Sequence, residues 1–298
     1  MTNFIKYTAI AFAIGMFTVS CNSNDDASDQ SGVDTLSNAI TKERTQKIIY
    51  SVPSPVELAN ILQKSGSKYD AKILNDINNV SKYSTNNAKA LNLGVYGADL
   101  AYTSVFNQTQ ETMFYLKAAQ KLADELGITN AFNKNTIDRV ETNLSSKDSL
   151  MRIISDSYLE MDAYLGENDR KNVSALLASG GWVEGLYLAT KVAEKSSNNT
   201  AIIAHIADQK LSLENLLGLL GGYPDDENIL SMVTSLNALK AIYDKIETKT
   251  PENQNVTVDP STKVATIGSS NEKPTVISVE VLKAITEKIA EIRNSIIN

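Results

Sequence analysis

The chain has 298 residues and a net charge of −7, with one histidine and one cysteine. That acidic balance argues against nucleic acid, which needs a basic surface for its phosphates. A lone histidine nearly excludes zinc sites, haem ligation and histidine acid–base chemistry, and a lone cysteine leaves no disulfide.

The cysteine lies near the N-terminus. Lys6 precedes an apolar run, Tyr7–Val19, which Ser20 and Cys21 close, and the chain then turns polar through Asp25, Asp26 and Asp29. A basic residue, an apolar stretch and a small residue at the cleavage point form a secretory signal. The run is too short to cross a bilayer, which takes about 20 residues. Thr18-Val19-Ser20-Cys21 resembles a lipobox. The resemblance implies a signal over 1–20, an acylated Cys21 as the first mature residue, and attachment to a membrane through lipid. One acyl chain anchors marginally and two anchor stably. Residues 21–33 then read as a disordered acidic tether, and 34–298 as one helical domain.

A first helix is weakly signalled over Thr35–Tyr50. Ser54-Pro55-Val56-Glu57 forms a capping box with proline at the first helical position, and Gly66 is a natural stop. Residues 67–85 are irregular, with a short helix near Ala71. The pattern is helical from about Asn86 to Gly127, broken near Asn107. Ser145 and Asp148 mark a cap for a helix reaching about Leu165, with Leu150, Ile154, Tyr158, Met161 and Leu165 on its apolar stripe. Further helices are predicted over about Asn168–Lys195, Thr200–Leu220 and from Pro224 to Glu247. His205, within Ile202-Ile203-Ala204-His205-Ile206, reads as a structural residue. The segment 248–277 is rich in Thr, Asn, Pro and Ser and reads as a short hairpin or extended loop. A last helix, about Val279–Ile297, carries Leu282, Ile285, Ile289, Ile292 and Ile296 as a narrow seam. The fold class expected is all-α: an irregular multi-helix bundle with a short β-hairpin insertion before the C-terminal helix.

Two helices are unusually rich in glycine: Leu93-Gly94-Val95-Tyr96-Gly97-Ala98-Asp99 and Gly180-Gly181-Trp182-Val183-Glu184-Gly185. Glycine costs a helix about 1 kcal/mol relative to alanine, so each needs a reason. Ala90, Gly94, Ala98 and Ala101 share one face, as do Ser174, Ala178, Gly181 and Gly185, which suits two helices crossing closely at the centre of the bundle. Beside these stripes stand Tyr96, Asp99, Tyr102, Trp182, Glu184 and Tyr187. They either line a ligand cleft with aromatic walls and two carboxylates, suited to a cation or a sugar, or belong to the core. In the core, Asp99 and Glu184 are expected to pair with Arg170, Lys191 or backbone groups. No other constellation carries chemistry: there is no phosphate loop, no nucleophile elbow and no di-iron pattern, and no metal or other cofactor is implied.

The lipobox followed by acidic residues resembles surface lipoproteins of the phylum Bacteroidota, where such residues direct export to the outer face. The body, through Tyr50–Pro55, Leu91–Leu100 and Gly181–Tyr187, is similar to an uncharacterised lipoprotein family of that phylum. The resemblance implies an outer-membrane, cell-surface location and transfers no mechanism. Asp34-Thr35-Leu36 matches the phylum's short O-glycosylation motif, which makes Thr35 a candidate acceptor. The function expected is a non-enzymatic binding or assembly module with an envelope protein or glycan as partner. The alternative is a glycan-acting hydrolase using Asp99 and Glu184, since paired carboxylates cleave glycosides without histidine when about 5–9.5 Å apart.

Overall fold

The computed structural model describes residues 61–64, 66–128, 133–196, 199–246 and 277–298, and the backbone alone of 256–258 and 265–267. Lipidation at Cys21, the tether 21–33, the acceptor Thr35, the helix Thr35–Tyr50 and the capping box at Ser54 lie outside these residues. Gly66 takes φ +76°, the left-handed conformation that ends a helix.

Two short 3-10 turns, Ala71–Ile73 and Ile77–Lys82, lead into the helices. In chain order these are α1 Asn86–Val105, α2 Thr109–Glu125, α3 Lys134–Thr142, α4 Lys147–Glu167, α5 Lys171–Lys195, α6 Thr200–Leu220, α7 Glu227–Tyr243 and α8 Val279–Ile297. The described fold is all-α. Of the expected hairpin insertion, most of 248–277 lies outside the described residues. Within it Val256–Val258 (β1) pairs antiparallel with Ala265–Ile267 (β2), Thr257 facing Thr266.

The breaks have local causes. Asn107, at φ +56°, separates α1 from α2, and Gly127, at φ +70°, closes α2. Asp169, at φ +55°, holds α4 and α5 apart, so α5 begins at Lys171 and not at Asn168. Several helices open on a side-chain cap: Thr85 accepts from the Ala88 N–H, Asp226 from Asn228 and Ile229, and Ser278 from Val281. The expected cap at Ser145 is displaced by one residue. Ser146 stands at the N-cap, and its hydroxyl donates to Ser149 Oγ at 2.9 Å instead of receiving a backbone N–H.

α1 and α5 form the centre, buried over most of their circumference, as a helix enclosed on all sides must be. α2 and α4 flank α1, α6 lies on α5, α7 on α6, and α8 packs on α5 and α7. The α1–α5 crossing is made by glycine. A Cβ on Gly94 would overlap the Leu177 carbonyl oxygen and stand 2.6 Å from the Gly181 nitrogen, and one on Gly180 would overlap the Leu91 carbonyl oxygen. The two backbones therefore touch, and no side chain fits between them. Gly97 serves another neighbour, α4, where a Cβ would meet the Tyr158 hydroxyl. Among the described residues no helix is long and apolar enough to cross a membrane.

Candidate functional site

The crossing brings Asp99 on α1 and Glu184 on α5 together, as the sequence suggested, but in the interior. Both are 0% exposed. The third member is Arg293, from the seam face of α8. Its Nε donates to Glu184 Oε2 at 2.7 Å and its second terminal nitrogen to Oε1 at 2.9 Å, a two-pronged ion pair with side-chain exposures of 7% and 0%. The same terminal nitrogen reaches the Ile73 carbonyl at 3.3 Å, and the guanidinium stacks 4.3 Å from the centre of the Tyr187 ring.

Three ionisable groups in one dry site cannot all keep their ordinary states. Burial pushes the Asp99 carboxyl well above its usual range; neighbouring Glu184 adds to this, while Arg293 and the Asn75 N–H oppose it. Glu184 is also raised by burial, against the pull of Arg293. Burial disfavours the Arg293 charge, but Glu184 outweighs it and holds the guanidinium protonated. Arg293 commits its donors to Glu184, so the proton retained by the acid pair belongs on Asp99. Asp99 Oδ2 accepts from the Asn75 N–H at 3.2 Å, while its Oδ1 meets no direct hydrogen-bond partner among the described residues.

Two of the four aromatic residues expected to wall an open cleft, Tyr96 and Tyr102, are instead clamps on the irregular segment before α1. Tyr96 and Tyr102 are fully buried. Tyr96 donates to the Asp76 carbonyl at 2.9 Å, and the Tyr102 hydroxyl accepts from the Asp70 N–H at 3.2 Å. Tyr115, which the sequence reading passed over, donates to the Asn75 carbonyl at 2.9 Å, and Asn75 Nδ2 donates to Tyr83 at 3.0 Å. Trp182 is turned away from the acids and donates to Gln209 Oε1 on α6 at 3.1 Å. Only Tyr187 is left partly exposed, under Arg293. Five of the six residues are thus buried, Trp182 apart from the acids, and they do not form an open cleft. A polar backbone segment must be satisfied where it is buried, and tyrosine hydroxyls do so while filling apolar volume.

Of the partners expected for the acids from sequence, a backbone group, the Asn75 N–H, does hold Asp99, but the two basic residues are elsewhere. Arg170 donates to the Leu126 carbonyl at 2.8 Å, capping the end of α2, and Lys191 pairs with Glu194. The residue missed was Arg293. Its signal was present: Ile289, Arg293 and Ile297 recur every four residues, which puts an arginine on the apolar face of α8. Glycan hydrolysis by Asp99 and Glu184 needs a substrate at the carboxyls, and in this structure both are 0% exposed. No third metal-ligating group joins the two acids among the described residues. Comparison with known proteins returns no match: no family model, curated protein or solved structure is similar to the chain.

Proposed function

We propose that this chain is a lipid-anchored protein of the bacterial cell envelope. Acylated Cys21 holds it at the outer membrane, facing the cell surface, and its helical body acts as a binding or assembly module and not as an enzyme. One observation carries the reading: the chain's only cysteine stands where the apolar run Tyr7–Val19 ends and an acidic polar stretch begins. An ordinary secretory signal gives no reason for a cysteine at that point. The body supports the second half. Its most elaborate polar constellation, Asp99, Glu184 and Arg293, is spent on joining three helices.

The test is metabolic labelling with an alkyne palmitate analogue, comparing the wild type with Cys21→Ala. Label is expected on the first alone, and equal labelling of both sinks the anchor. Protease treatment of intact cells should release the body; protection until lysis would place it on the periplasmic face.

A further inference from the structure

The helix that supplies Arg293 is attached to the body in the way an amphipathic peptide lies in a receptor groove. Ile285, Ile289, Ile292 and Ile296 are buried on one side, and Lys283 and Glu287 are exposed on the other. The groove, formed mainly by α5 and α7 with α1 beneath, holds a built guanidinium seat: the Glu184 carboxylate, the Tyr187 ring face and the Ile73 carbonyl. It also reads the end of the helix. Asn92 Nδ2 donates to the Ile296 carbonyl at 2.9 Å and Tyr83 to the Ile297 carbonyl at 3.4 Å. These groups stand on other elements and hold a helix by an arginine and by the carbonyls one turn beyond it.

We propose that this groove is a helix-binding site whose occupant is exchangeable, and that a second copy of the chain fills it with its own α8. The connection permits the exchange. Residues 247–276 join α8 to the body. Even with β1 and β2 kept paired, the chain on either side of them can extend about 60 Å, at about 3.3 Å per residue. The inference gives the assembly reading a partner and rests on it there alone. It does not use the anchor, so the labelling experiment and the one below fail separately.

The probe is a fluorescein-labelled peptide of residues 277–298, added to the full chain carrying Cys21→Ser and followed by anisotropy. Saturable binding is expected. Apparent affinity is set by the fraction of grooves that stand open, so weakening the resident helix with Ile289→Ala in the chain should tighten peptide binding by about tenfold or more. The same peptide carrying Arg293→Ala should bind about tenfold more weakly or worse. Should the Ile289→Ala chain lose its helical circular dichroism, Leu282→Ala, at the half-buried edge of α8, makes the same comparison. Tagged and untagged full chains, refolded together, should co-elute as mixed dimers that excess peptide dissolves. No binding to the weakened chain, or equal binding of both peptides, overturns the groove. Co-refolded chains that stay wholly monomeric overturn the second copy as its occupant.

Discussion

Asp99 is a carboxyl that folding pushes toward its protonated form, and this has a sign. Its folded pKa lies above the ordinary value of 3.8 because it is buried beside Glu184. The stability it contributes is full below the unfolded value and is lost as pH rises through the folded one. Urea midpoints of the wild type should therefore fall as pH rises above the unfolded value, with a slope of up to about 1.4 kcal/mol per pH unit from this group. Asp99→Asn supplies a neutral isostere. Its amide oxygen keeps the Asn75 N–H, and its NH₂ takes the place of the acid's O–H. The variant should be less pH-dependent and more stable than wild type at pH 8. A wild type and an Asn variant with parallel pH profiles would mean that Asp99 is ionised in the fold.

At the scale of elements, the α1–α5 crossing separates glycines that make room from glycines that do not. Gly94→Ala or Gly180→Ala puts a methyl into a neighbouring carbonyl that cannot step aside, and should lower stability by about 1–3 kcal/mol. Gly166, inside α4, is the control. A Cβ there meets only the Lys171 Cε at 3.5 Å, so Gly166→Ala should stabilise by up to about 1 kcal/mol. Thermal or urea unfolding of the three variants reads both signs. The crossing was legible in the sequence because a repeated cost in helix propensity needs a packing reason. α6 and α8 were legible because each carries a plain signal: Gly221-Gly222 follows the one, and a seam of isoleucines at regular spacing runs along the other. α3 was not. Lys134–Thr142 buries only Thr136 and Val140, and a nine-residue helix with so thin an apolar face has no periodicity to read. The site was half legible. Residue types and spacing named the two acids, but burial and partner choice depend on which helix arrives from far along the chain. Arg293 is 109 residues from Glu184.

For the whole molecule, the buried elements rank by how much of them is enclosed. Native-state hydrogen exchange should find the amides of α1 and α5 opening only with global unfolding, and those of α3 opening first, at a small fraction of that free energy. Uniform protection across all the helices would contradict that ranking. The three-helix junction has a second consequence, which concerns time. A chain made from its N-terminus has α1 and α5 well before α8. Until Arg293 emerges, the crossing faces two acids with no base, and the carbonyls of Ile296 and Ile297 are not there to accept from Asn92 and Tyr83. The centre of the domain therefore reaches its full stability only when α8 is in place. On the proposed export route, such a chain stays threadable for as long as it must pass through a narrow channel, and becomes rigid only once all of it has arrived on the far side.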